Sequence, residues 1–344
     1  NGKLRPLGIA CYEDKMVQLA LKKILEAIYE PRFLNCMYGF RPNRGCHDAI
    51  KELYKRLNNT KICYIVDADI KGFFDHMKHE WIIKFLYLYI KDPNIIGLVK
   101  KYLKVGVIDG GELMMNEEGA AQGNIISPIL ANIYMHNVLT LWYKFIITKE
   151  CKGDNFLIVY ADDFVAGFQY KWEAENYYKL LKERMEKFGL QLEESKSRLL
   201  QSGAYIARAK QKSGESTRLE TFDFLGFTFY CGRSRKGMPY IMPKTSSKKF
   251  RQKIRDIKVW LYANRDQSLK KLMGMLNLKL VGHYRYYGIS FNGRMISNYK
   301  QQVRELLFKV LNRRSDRKSY TREGFIEMLK YYPLALPKIY VSLF

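Results

Sequence analysis

The sequence predicts an α+β body followed by a basic, helical C-terminal third. Three observations carry this: helix-period apolar patterns alternate with short β-branched and aromatic runs, no repeat of solenoid type appears, and the charge is divided unevenly. The 344 residues hold 59 Lys+Arg against 34 Asp+Glu, a net +25, yet 47% are hydrophobic and 14% aromatic. A disordered basic tail is therefore excluded, and a folded protein with a polyanionic partner is expected. From Arg235 to the end there are 25 Lys and Arg against 6 Asp and Glu, or +19, which leaves +6 for everything before it. The body is nearly balanced and the last third is not.

In chain order, residues 14–30 place Val17, Leu21, Ile24, Leu25 and Ile28 at helical spacing, and Pro31 stops the pattern. Helical patterns follow over residues 47–57, 79–90, 95–103, 128–145 and 172–188. Strand-like runs lie between them at 62–70, 156–168 and 222–231. The polar stretch 203–220 reads as an exposed loop. In the last third, Ser246 or Ser247 can cap a helix with Phe250, Ile254, Ile257 and Leu261 on one face, and a second helix spans 296–311. No apolar run approaches the roughly 18 residues that span a bilayer, so no membrane is expected. Six scattered cysteines without a C-x-x-C pair favour a reduced compartment, and the opening Asn1-Gly2-Lys3-Leu4-Arg5-Pro6 reads as the middle of a longer protein.

Chemistry is most legible in two strands. Residues 156–168 flank Asp162-Asp163 with apolar runs, which by itself is equally well a plain hairpin turned by two aspartates. The run 61–70, apolar apart from Asp67 and Asp69 on one face at its end, tips the balance. Carboxylates gathered at the ends of buried strands repel one another and lose hydration, so a cation is called for. Mg²⁺ suits such a site, because it takes one or two carboxylates and leaves positions for water and phosphates; a pair of these ions clamps both oxygens of a phosphoryl transfer. A basic chain with an acidic metal pocket points to a nucleic-acid polymerase or nuclease.

These residues carry a family resemblance. Tyr160-Ala161-Asp162-Asp163 and Asp69-Ile70-Lys71-Gly72-Phe73-Phe74-Asp75 resemble the palm of group II intron-encoded reverse transcriptases. Residues 3–9, Tyr38-Gly39-Phe40-Arg41-Pro42-Asn43-Arg44, the Gln-Gly block at 119–128 with Leu130, Ala131 and Asn132, and the blocks at 189–198 and 222–227 fall in the family's order. The implied fold is a right-hand polymerase, with fingers and a ferredoxin-like antiparallel palm over 1–235, the N-terminal part of the fingers missing, and a helical thumb/maturase domain over 236–344. Asp69, Asp162 and Asp163 would be catalytic and, with the Ile70 carbonyl, hold two Mg²⁺; Asp67 matches no catalytic position. For the dNTP, the resemblance implies Arg5 on the triphosphate, Phe73 under the sugar, Gln122 at the nascent pair and Lys196 at the leaving pyrophosphate. Core packing remains open for Phe73, and a solvated role for Lys196. Ala121 stands where the family commonly has proline, without removing a polar group. His76 and His79 are spaced like a helical pair, but nothing accompanies them as a metal set.

In the basic third, Lys248, Lys249, Arg251 and Arg255 on the first helix, Arg285 within Gly282-His283-Tyr284-Arg285-Tyr286-Tyr287-Gly288, and Arg313, Arg314, Arg317 and Lys318 are the RNA-contact candidates. Tyr284 and Tyr287 at i,i+3 are equally well core. The resemblance extends through 311–315 and 332–339 and implies intron RNA as template and splicing substrate, retrohoming, primer or target DNA as partner, and a bacterial cytoplasmic ribonucleoprotein, with a homodimer left open. No HNH endonuclease pattern follows. The alternatives are a catalytically silent splicing factor and a related bacterial reverse transcriptase used in repair or defence.

Overall fold

The computed structural model describes residues 10–104, 107–109, 112–114, 119, 124–314 and 319–344. The chain divides into two compact units, Asn1–Glu220 and Thr221–Phe344.

The first unit opens with α1 (Tyr12–Tyr29), whose buried residues Gln18, Leu21, Leu25 and Tyr29 form one stripe. The helix is where its period puts it, but its inner face is rotated: Val17 and Ile24, expected inside, are 42% and 43% exposed. Its end is pinned where the Tyr29 hydroxyl donates to the Phe85 carbonyl at 3.0 Å. Next come α2 (Cys46–Asn59), β1 (Tyr64–Ala68), the single turn α3 (Phe73–His76), α4 (His79–Tyr87), α5 (Pro93–Lys104) and a small hairpin of β2 (Val107–Asp109) and β3 (Glu112–Met114). α6 (Ser127–Met135) runs on through two π-helical stretches, His136–Thr140 and Tyr143–Ile147, into α7 (Thr148–Glu150). The hairpin β4 (Asn155–Tyr160) and β5 (Asp163–Phe168), α8 (Lys171–Lys187), β6 (Arg198–Gln201) and α9 (Ala204–Lys212) complete the unit.

Strand order β4-β5-β1-β6, every neighbour antiparallel, is the split βαβ arrangement of a ferredoxin-like sheet, as expected. Alternate residues Val66, Ala68, Leu157, Val159, Phe164, Ala166 and Phe168 share a core with Leu130, Tyr134, Val138, Tyr177, Leu181 and Met185 of α6, the first π-helical stretch and α8. Fully burying a Leu, Val or Phe contributes about 1.5–3 kcal/mol, so this face fixes the register of β1, β4 and β5. The intervening Ile65, Ile158 and Val165 are buried too, and α2 lies against β4 and α9.

The loop expected over 203–220 is in part a helix. Ala204 and Ala207 of α9 are buried against neighbours, and two small side chains among Lys, Gln and Arg gave no visible apolar stripe.

In the second unit the run 222–231, expected as one strand, breaks into β7 (Phe222–Phe224) and β8 (Phe227–Arg233) because Leu225 and Gly226 take positive φ, the geometry of a two-residue hairpin. β9 (Pro239–Thr245) adds to β8. α10 (Ser247–Ala263) starts as expected, its cap Ser246 accepting the Lys249 amide at 3.3 Å, and packs on α12 (Gly293–Leu311); α11 (Leu269–Tyr287) lies between them in sequence and α13 (Arg322–Tyr331) follows. The aromatic stretch 282–288, open in the sequence between an RNA surface and core packing, falls largely in α11, and most of its rings are core. His283, Tyr284 and Tyr287 are buried, and His283 stacks on Tyr299 with centroids 3.6 Å apart. Burial, helped by the charge of Lys253, drops the His283 pKa to about 3, so the ring is neutral at physiological pH. No described helix is long and apolar enough to cross a membrane, and all six cysteines are free.

Candidate active site

The acidic site is made by strand pairing. β4 and β5 end on the pair Tyr160–Asp163, so Ala161 and Asp162 form a two-residue turn. Ala161 there takes φ 59°, a left-handed conformation that favours glycine and costs an L residue about 1–3 kcal/mol. β1 pairs with β5 up to Ala68–Phe164, and one further step of that register sets Asp69 beside Asp163. Period two puts Asp67, Asp69, Val165 and Asp163 on one face, opposite the face that carries Val66, Ala68 and Phe164 into the core.

On its other side β1 meets β6 and the turn before it. The Lys196 ammonium lies 2.6 Å from Asp69 Oδ2, and the Ser197 hydroxyl accepts the Asp69 amide at 3.3 Å. The Glu193 amide donates to the Asp69 carbonyl at 2.8 Å. Arg198 Nε stands 3.6 Å from Asp67 Oδ2. Asp67 and Asp69 thus each have a cation beside them, and only Asp69 lies one register step from the hairpin aspartate as well. Ile70 bridges Leu192, but the two hydrogen bonds of that bridge use the Asp69 carbonyl and the Lys71 amide, so neither takes the Ile70 carbonyl.

Among the described residues no group of three or more carboxylate, imidazole or thiol side chains is gathered closely enough to hold a metal ion by itself. The donors present are oxygens at strand ends, and Asp69, Asp162 and Asp163 are all half-exposed. That fits an ion such as Mg²⁺, which holds few protein carboxylates and completes its shell with water and phosphate, and does not fit a closed structural site. Lys196 at Asp69 shows the same electrostatic demand met by a side chain.

Of the two adjacent rings after Asp69, Phe73 is 2% exposed and meets Phe74 and Tyr134 edge-on at 5.4 and 6.2 Å. Phe74 is half-buried, so it, and not Phe73, presents ring surface. Adjacent phenylalanines on one helical turn cannot be told apart by spacing.

Several contacts around the site could not be foreseen from the sequence, although Gly39, Asn132 and His79 lie in the motifs named above. The Asn132 amide, buried in α6, donates to the Gly39 carbonyl at 2.8 Å. His79 Nε2 is 2.6 Å from the Gly119 carbonyl, and Gln18 Oε1 accepts the Ile125 amide at 2.7 Å, so both flanks of the Gln-Gly block are anchored. The one available signal was a polar residue on a buried helical stripe, as at Gln18 and Asn132.

Arg5 and Gln122 lie outside the described residues, as do Arg317 and Lys318. In the second unit Lys248, Lys249, Arg251, Arg255, Arg285 and Arg313 are exposed, while Arg314 is half-buried. Arg313 donates to the Tyr262 hydroxyl at 2.8 Å.

Residues 1–229 match the family described as reverse transcriptase (RNA-dependent DNA polymerase), and residues 247–326 match the group II intron, maturase-specific domain. The group II intron-encoded protein LtrA of Lactococcus lactis subsp. cremoris is 40% identical over 152 residues, 44% of this chain and 24% of that protein. Protein YkfC of Escherichia coli is 37% identical over 139 residues, covering 40% of this chain and 36% of its own. This chain therefore spans well under half the length of these curated relatives. Among solved structures, apo telomerase from Candida tropicalis aligns over 92% of this chain and 56% of that one at 14% identity, TM-score 0.48; telomerase from Candida albicans with a TWJ fragment of telomeric RNA covers 92% and 53% at 13% identity, TM-score 0.47. With two-thirds of its length matched by the family's own pattern, and the two aspartate-bearing strands paired within that part, the chain belongs to the reverse transcriptase family and carries a group II intron maturase-specific domain behind it.

Proposed function

We propose that this chain is an RNA-directed DNA polymerase that takes Mg²⁺ at Asp69, Asp162 and Asp163, and that its second unit grips structured intron RNA during splicing and retrohoming. The observation that carries the reading is the register of β1 on β5, which runs to Ala68–Phe164 and so leads Asp69, the next residue, toward the Asp162-Asp163 hairpin, with Lys196 2.6 Å from Asp69. Bound Mg²⁺ would supply charge neutralisation at the phosphates and a more acidic primer hydroxyl. The chain's own residues do the rest. The paired strands hold the three carboxylates at fixed spacing; Lys196, whose ammonium lies beside Asp69, moves a proton to the pyrophosphate or neutralises it; Phe74, in the role first given to Phe73, offers a ring face to the incoming sugar. Arg5 and Gln122 are assigned to the triphosphate and the nascent pair. The functional division is taken as reverse transcriptase to about residue 235 and maturase beyond.

The test is extension of a DNA primer on an RNA template. Incorporation of dNTPs is expected with Mg²⁺, is abolished by EDTA, and returns on adding Mg²⁺ in excess. A chain that binds RNA yet incorporates nothing with Mg²⁺ or Mn²⁺ would sink the polymerase assignment and leave the silent splicing factor.

For the second unit, Arg313→Ala is expected to weaken binding to structured RNA across sequences and to lower the slope of log K against log salt by roughly 0.7–0.9 for its one phosphate contact. Titrations between low and moderate salt measure it. An unchanged slope would place Arg313 away from RNA.

A further inference from the structure

We infer that the short segment around Gly39 is a brace that sets the position of the Asp162-Asp163 turn, and that Asn132 latches the brace; the inference rests on those aspartates holding metal. Three contacts carry it. The Val159 amide donates to the Cys36 carbonyl and the Tyr38 amide to the Val159 carbonyl, both at 2.8 Å, so residues 36–38 run as an extra edge along the last turn-proximal part of β4. Gly39 then lies directly on the turn: a methyl placed on it would stand 2.5 Å from the Ala161 amide nitrogen and 3.0 Å from the Tyr160 carbonyl carbon. Both of those atoms are backbone and neither can swing away. Finally, the buried Asn132 amide holds the Gly39 carbonyl at 2.8 Å from the other side.

The turn needs such support. Ala161 sits at positive φ without being glycine, and the two residues that follow it are adjacent carboxylates that repel one another. A strained turn persists where its surroundings over-determine it, and Gly39 is the backbone that touches it. Gly39 and Asn132 are positioning residues: they reach the chemistry only through the turn.

The experiment compares Asn132→Ala, Asn132→Asp and Gly39→Ala with wild type and with Asn58→Ala. Asn132→Asp keeps shape but loses the donor. Asn58 is also buried and also donates to a backbone carbonyl, that of Tyr54 in α2, so its variant controls for lost stability alone. Three quantities are read: Mn²⁺ affinity of the free protein by EPR titration, kcat and KM for dNTP on an RNA template, and the thermal midpoint. The three brace variants are expected to bind Mn²⁺ about tenfold more weakly and to lose about 10- to 100-fold in kcat with KM within about twofold, as outer-shell supports of metal ligands do. Asn58→Ala lowers the midpoint only. Brace variants that lose stability like Asn58→Ala but keep wild-type Mn²⁺ affinity and kcat would overturn the inference. If instead wild type binds Mn²⁺ no better than Asp162→Ala, the metal reading itself fails, and the brace with it.

Discussion

Replacing Asp69 or Asp162 with alanine lowers primer extension by roughly 10³-fold or more, while Asp67→Asn costs less than about tenfold. The three residues differ little by sequence: all are aspartates at the ends of apolar strands. The pairing separates them. Asp67 stands opposite Arg198 on β6 and Val165 on β5, with its carboxylate 3.6 Å from that arginine, so its charge is answered inside the sheet. Asp69 lies one step beyond the paired register, level with the hairpin aspartates, where the charge that answers it must come from outside the sheet or from Lys196. Metal-borne stabilisation of a phosphoryl-transfer transition state is worth several kcal/mol, and each 1.36 kcal/mol is tenfold in rate. Folding is not the cause of the loss. The Lys196–Asp69 pair is 62% and 37% exposed, a class of ion pair worth about 0–1 kcal/mol, and removing Asp162 relieves repulsion. Single-turnover extension by protein with matched RNA affinity and thermal midpoint measures the effect. Equal losses at Asp67 and Asp69 would mean that the face assignment is wrong.

What could be read before the structure, and what could not, follows from how local each feature is. β1, β4 and β5 were legible because each is an apolar run ending on carboxylates, and the ferredoxin-like order followed from the family pattern. The turn at Leu225-Gly226 was missed because its first residue is an apolar one that carries φ 48°. Tyr284 and Tyr287 are open in the sequence between RNA surface and core because Arg285 lies between them, and the structure takes the core alternative that their i,i+3 spacing offered. On α1 the apolar residues outnumber the inner positions: Gln18 occupies the core stripe because its amide has work at Ile125, and Val17 and Ile24 are left outside. The contact of Gly39 with Ala161 joins residues 122 positions apart, and no local pattern announces it.

Arg41→Ala destabilises the first unit by about 2–4 kcal/mol, and Arg41→Lys recovers less than half of that. The guanidinium is nearly fully buried, its side chain 4% exposed, and uses its whole fork. Nε and Nη2 reach the Glu30 carboxylate at 2.8–3.1 Å, and Nη1 donates to the carbonyls of Leu34 at 2.8 Å and Met37 at 3.0 Å. Removing it strands a carboxylate and two carbonyls that fold the loop between α1 and α2. Breaking a buried pair from one side costs about 3–5 kcal/mol. The 30% exposure of Glu30 lets water recover part of this, which brings the figure down. Lysine offers a single ammonium that cannot meet Glu30 and two carbonyls on divergent sides at once, so it is no conservative replacement here. For a unit of this size a midpoint falls about 2–4 °C per kcal/mol, so a loss of about 5–15 °C is expected by calorimetry for Arg41→Ala. Arg41→Lys matching wild type would show that one hydrogen bond suffices. Because the same loop carries residues 36–39 along β4, polymerase activity of Arg41→Ala should decay at lower temperature than its RNA binding, the site losing its support before the basic unit loses its grip.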